Sequence, residues 1–120
     1  MKIALAQLNT IVGDCEGNLS RVLSSLERAR EEGVDLVVFP EQTLPGYPAE
    51  DLLEREDFID QVQDVFERAV QACQGTAMVL GTIVRTGCPE GKPIYNSAAL
   101  VQDGKVLGFQ HKTLLPTYDV

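Results

Sequence analysis

Asp35-Leu36-Val37-Val38-Phe39-Pro40-Glu41 is the stretch on which the fold of this chain turns. It is a short, Val-rich apolar run without polar alternation, so it predicts a strand covered on both faces, as at the centre of a layered α/β fold. Toward the N-terminus, Leu19, Val22, Leu23, Leu26 and Ala29 fall at helical spacing. Asn18 is placed to cap the start of that helix and Gly33 to end it. Gly13-Asp14-Cys15-Glu16-Gly17-Asn18 reads as a turn-rich loop, and Lys2 to Leu8 as a first strand. Toward the C-terminus, a loop with Pro45, Gly46 and Pro48 leads into a second helix. Phe58, Val62, Val65, Phe66, Ala69, Val70 and Cys73 line one side of it, and Gly75 closes it. Ala77 to Val84 is again continuously apolar, hence another buried strand, broken by residues 87–93. Tyr95 to Val101 and Lys105 to Gln110 flank Gln102-Asp103-Gly104, where Asp-Gly marks a tight hairpin turn. The order β-α-β-α-β-β-β predicts an α/β (α+β layered) fold around one sheet.

The 120 residues fit a single domain. Hydrophobic residues at 44% and charged residues at 23% exclude wholesale disorder. Ten Lys+Arg against 18 Asp+Glu give a formal charge of −8, which argues against a nucleic-acid partner or an anionic membrane surface. No apolar run approaches the ~20 residues that span a bilayer, and the opening residues read better as a strand than as a signal peptide. Three cysteines without framework spacing imply reduced thiols and a cytoplasmic setting. With no Cys-x-x-Cys and one histidine, no zinc site is expected. The glycines form neither a phosphate loop nor a dinucleotide fingerprint. Two helices are few for five strands, and the segment from His111 to Val120 ends on apolar residues without a cap. The expectation is a chain that stops partway through a larger fold, the alternative being a small domain with a compact C-terminal loop.

Glu41 directly follows a buried strand, and sites in α/β sheets are built at the carboxyl ends of strands. Burial there would raise its pKa and make it a base usable near neutrality, although many strands simply end in a solvated Glu. Lys112 stands in the same relation to the strand Lys105–Gln110, suited to stabilising an oxyanion or, equally, a solvated cation. His111 reads as a base or as a structural hydrogen-bonding group. Cys73, on the apolar helix face, reads as a core residue. Cys15 and Cys88 lie in loops without a basic neighbour and are poor nucleophile candidates.

Taken together, the segments are more specific than any one of them. Lys2-Ile3-Ala4-Leu5-Ala6-Gln7-Leu8-Asn9, Val12-Gly13-Asp14 with Asn18, the Asp35–Glu41 stretch, Tyr95-Asn96-Ser97-Ala98 and His111-Lys112-Thr113-Leu114-Leu115-Pro116 resemble, in order, the nitrilase or carbon–nitrogen hydrolase superfamily. Pro45-Gly46-Tyr47-Pro48-Ala49-Glu50-Asp51-Leu52-Leu53 and Lys112-Thr113-Leu114-Leu115-Pro116-Thr117-Tyr118-Asp119-Val120 are similar, more narrowly, to the N-terminal glutaminase domains of glutamine-dependent NAD synthetases. The resemblance implies the N-terminal part of a nitrilase-like αββα sandwich with a Glu-Lys-Cys triad. Glu41 matches the general base, Lys112 the lysine that stabilises the tetrahedral intermediate, and Tyr118 a position at the L-glutamine pocket. It further implies that ammonia passes to an ATP-dependent domain that amidates deaminated NAD. ATP and Mg belong to that domain, and no cofactor to this chain.

The family's nucleophilic cysteine follows the lysine by several tens of residues, a position that none of Cys15, Cys73 and Cys88 occupies. The chain alone is therefore expected to be inactive. An open sheet face and the pairing of family members imply a homo-oligomer. Two alternatives stand beside this: part of a stand-alone amidase of the superfamily, or a non-catalytic, self-associating interaction module.

Overall fold

A computed structural model describes residues 1–85 and 94–112. Tyr118 and Cys88 lie outside the described residues. Five strands form one sheet in chain order: β1 (Ile3–Leu5), β2 (Leu36–Val38), β3 (Ala77–Arg85), β4 (Ile94–Gln102) and β5 (Lys105–His111). β1, β2 and β3 run parallel, whereas β3, β4 and β5 are antiparallel. Parallel neighbours need a crossover, and the helices α1 (Cys15–Glu31) and α2 (Glu56–Ala72) supply the two required. The layered α/β reading holds.

α1 begins earlier than the apolar periodicity suggests. Asp14 is its N-cap, its carboxylate accepting from Gly17 N at 3.0 Å. A side chain at Gly17 would collide with that carboxyl, 2.2 Å from an added Cβ. Asn18 is thus no cap, and Cys15 no loop residue: Cys15 is the first residue of the helix and buried. Asn18, fully buried one turn inside, holds two loops together instead. It exchanges bonds with the Ile11 backbone at 2.9 Å each way and donates to the Leu44 carbonyl at 3.0 Å. The other end is as expected. Gly33, at φ +69°, donates to Arg30 O and Val34 to Ala29 O; this paired closure uses a left-handed residue after the last turn.

α2 carries Glu56 and Asp57 in its first turn, a favourable place for negative charge. Phe58, Val62, Val65, Phe66, Ala69 and Val70 form its buried stripe. The register sets Met78 opposite Val101 and Leu80 opposite Ala99. These four, with Val37, are buried beneath the helices together with Val22, Leu26 and Val62. Each large aliphatic side chain so buried contributes roughly 1.5–3 kcal/mol. Phe66 of α2 reaches β5, its ring 6.0 Å from that of Phe109. The hairpin turn has Asp103 at φ +50° and Gly104 at φ +76°, both left-handed as an Asp-Gly two-residue turn requires.

Among the described residues, no helix covers the opposite sheet face. Leu36 and Val38 are only half-buried, which corrects the expectation of a strand sealed on both sides. Ile3, Leu5 and Leu100 are 53%, 73% and 41% exposed. Alternation along the strands puts Val79, Gly81, Asn96 and Ala98 on this same face. A 3-10 turn over Glu50–Glu54, unread in the sequence, links the loop after β2 to α2.

Candidate active site

The chain leaves β2 at Val38, and Phe39 N still bonds Val79 O at 2.9 Å. Pro40 then turns the backbone over β3. Thr43 Oγ1 donates to the Pro40 carbonyl, and Leu44 N reaches Gly81 O at 3.4 Å. Gly81 is what permits the approach. An added Cβ would lie 2.3 Å from Pro40 O and 2.7 Å from Gln42 N, distances no side chain tolerates. Gln42, at φ +49°, adopts a left-handed conformation that costs a non-glycine residue on the order of 1–2 kcal/mol. Its carbonyl accepts from Gly46 N at 2.9 Å and its side chain from Ala49 N at 3.4 Å. Such local strain persists where surrounding contacts over-determine it, and here those contacts hold the Glu41 backbone against β3.

Glu41 and Lys112, 71 residues apart, meet on the uncovered face. Lys112 Nζ donates to Glu41 Oε1 at 3.0 Å, and Asn96 Nδ2 donates to the same oxygen at 2.5 Å. Lys112 N also donates to Asn96 O at 2.8 Å, prolonging the β4–β5 ladder past His111 and fixing where the lysine departs. A cleft of about 310 Å³ opens beside them, lined also by Pro40, Val79, Gly81, Ala98 and Gln110. A larger groove, about 910 Å³, runs along α2 on the other side of the sheet, near Phe66, Val70 and Val106. It holds neither member of the pair.

The Glu41 side chain is 44% exposed, so the burial that would raise its pKa is not met. The hydrogen bond from Lys112 holds the carboxyl below the ordinary glutamate value, helped by that from Asn96 and opposed by partial desolvation. Both donors stabilise the ionised form, and together they outweigh the desolvation. An ionised carboxylate bonded to an ammonium group, on the rim of a cleft, can accept a proton from an incoming acid and return it. The ammonium beside it can stabilise developing negative charge.

The remaining candidates do not join them. The His111 ring points to the helix side, with Nδ1 2.6 Å from Ser97 Oγ and the ring stacked on Tyr95 at 4.3 Å. That makes it a structural group. Burial, then Asp14 and Glu16, push the Cys15 thiol up to about 11. Burial likewise raises that of Cys73, whose Sγ lies 3.3 Å from Thr76 O. Neither thiol is a nucleophile near neutral pH. Asn96 carried no role in the sequence reading; the signal was there, because an amide residue is a poor strand former yet sits within Tyr95-Asn96-Ser97-Ala98.

The carbon-nitrogen hydrolase family model matches residues 2–120, and the chain belongs to that family. More narrowly, it is 39% identical over 122 residues to the glutamine-dependent NAD(+) synthetase of Thermotoga maritima, an alignment covering 100% of this chain and 20% of that protein. The solved glutamine-dependent NAD+ synthetase of Acinetobacter baumannii superposes with a TM-score of 0.86 at 36% identity, over 98% of this chain and 22% of that one. A nitrilase-superfamily amidase from Nesterenkonia superposes at 0.79 with 26% identity, over 98% of this chain and 44% of that one. A variant of the amidase carries the acetamide moiety of fluoroacetamide, added covalently at its active-site cysteine. The chain thus spans about a fifth of the length of the synthetases it matches.

Proposed function

We propose that this chain is part of the glutaminase domain of a glutamine-dependent NAD synthetase, contributing two groups of a three-group site. The observation that carries the proposal is the 3.0 Å Glu41–Lys112 contact, assembled from the ends of two strands beside a cleft. Similarity to synthetases at 36–39% identity supports the subfamily over a stand-alone amidase, whose Nesterenkonia representative stands at 26%.

Glu41 takes the proton of a cysteine thiol supplied by a part of the protein outside these 120 residues. The thiolate adds to the side-chain amide carbon of L-glutamine, and Lys112 stabilises the resulting oxyanion. Glu41 returns the proton to the nitrogen as the C–N bond breaks, so ammonia leaves and a thioester remains. Water, deprotonated by Glu41, adds to the thioester, and release of the thiol gives glutamate. Splitting the hydrolysis in this way is nucleophilic catalysis with electrostatic support. Tyr118 belongs to the glutamine pocket by its place in the motif, and ammonia is consumed by an ATP- and Mg-dependent amidation of deamido-NAD elsewhere in the enzyme. The site works in a homo-oligomer, for which the exposed Ile3, Leu5 and Leu100 give an apolar surface to cover.

The test is ammonia release from glutamine, measured on the full-length enzyme and on the 120-residue chain. The enzyme should release ammonia and convert deamido-NAD when ATP and Mg are present, and the chain alone should release none. Ammonia release by the isolated chain would overturn the assignment of the nucleophile to another part of the protein.

A further inference from the structure

Asn96 bonds to both members of the pair. Its carboxamide donates to Glu41 Oε1 and its carbonyl accepts from the Lys112 main chain. Lys112 Nζ donates to the same Oε1. Among the described residues nothing donates to Oε2. An Asn in the middle of a strand, paired across the ladder with the buried Ile83, gains little from β propensity. Its amide is used instead at the site. We propose that Asn96 is a positioning residue of the amide-hydrolysis site. With Lys112 it engages Oε1 and fixes the carboxylate, so that Oε2 is the oxygen that takes the nucleophile's proton.

The requirement is for a donor that cannot lose its proton. A carboxamide supplies that at any working pH, whereas a carboxylate in the same place would set two like charges against each other. Lys112, from the end of β5, is the one charged group besides Glu41 among the described residues lining the cleft. β3 presents Val79 and Gly81 there, and β4 presents Asn96 and Ala98, all uncharged. The ring of neighbouring His111 is engaged with Ser97 and Tyr95 on the other side of the strand. Among the described residues lining the cleft, a change at Asn96 therefore registers on the Glu41–Lys112 pair.

This inference rests on the amide-hydrolase proposal, and the experiment separates the two. Glutamine hydrolysis by the full-length enzyme is followed against pH for wild type, Asn96→Asp and Asn96→Ala, with a cooperative thermal melt as the folding control. In Asn96→Asp, kcat at pH 7 should fall at least about tenfold with KM for glutamine nearly unchanged. The acid limb of kcat/KM should move up by about one unit or more. Asn96→Ala should shift the limb in the same direction by less. A loss equal at all pH values, with the limb unmoved, would overturn the positioning role, as would a loss carried by KM. Full activity in Glu41→Gln would sink the hydrolase proposal itself; an unmoved limb in an otherwise active Asn96→Asp enzyme would sink only this one.

Discussion

The two faces of the sheet are built by different physics. The helix-covered face is a close-packed core, with Met78, Leu80, Ala99 and Val101 interlocked beneath Val22, Leu26 and Val62. The opposite face gathers Gly81, Ala98, Asn96 and an ion pair around a cleft, and its geometry comes from backbone approach and hydrogen bonds. Burial specifies where strands and helices lie; it does not by itself aim a carboxylate. Aiming Glu41 takes a glycine on the neighbouring strand, a left-handed Gln42 and two donors on one oxygen. The contrast predicts that the faces fail differently: core substitutions cost stability, whereas changes on the open face cost activity or shift its pH dependence.

The largest effect belongs to the open face. In the full-length enzyme, Lys112→Met should lower glutamine hydrolysis by roughly 10²–10³-fold while leaving the melting transition nearly unchanged. The lysine bond is the main cause holding the Glu41 pKa down. Removing it lets that pKa rise, so the base protonates at higher pH and the acid limb moves upward. A downward shift or none would mean that the pair is not coupled in solution. On the other face, Leu26→Ala should destabilise the domain by about 2–5 kcal/mol in urea unfolding with little change in KM. A comparable loss of activity per folded molecule would blur the distinction.

Gly81→Ala probes the seam between the two. The added methyl meets backbone, not a movable side chain, so a cost of about 1–3 kcal/mol is expected, together with a displaced Glu41 and reduced kcat. Asn18→Ala, which removes buried bonds to Ile11 and Leu44, should cost about 1–3 kcal/mol and leave the acid limb where it was. At the bottom of the scale, Arg28→Ala breaks an exposed pair with Glu32, and such pairs contribute little; the unfolding midpoint should not move measurably.

The same division explains how much was legible beforehand. Helical spacing from Leu19 to Ala29 and from Phe58 to Val70 records burial, and the buried faces of α1 and α2 follow it. The hairpin at Asp103-Gly104 follows from left-handed backbone, which those residues adopt at low cost. Asn18 misled because an Asn before an apolar run has the chemistry of a cap; the actual cap, Asp14, lies four residues earlier, in a segment whose glycines suggested a loop. Position after a strand singles out Glu41 and Lys112 and motif resemblance assigns their roles, but only the fold shows them in contact. The direction of the Glu41 pKa is not legible from its position after a strand, because that position does not decide burial. Exposure and two donors depend on Lys112 and Asn96, which arrive from far along the chain. The role of Asn96 is a relation between three residues, which spacing along one segment does not contain.

The most direct measurement is glutamine-supported against ammonia-supported NAD synthesis by Glu41→Gln in the full-length enzyme. Glutamine-supported synthesis should fall by about 10²-fold or more while synthesis from added ammonium proceeds at the wild-type rate. Undiminished synthesis from glutamine would contradict the assignment of Glu41 as general base.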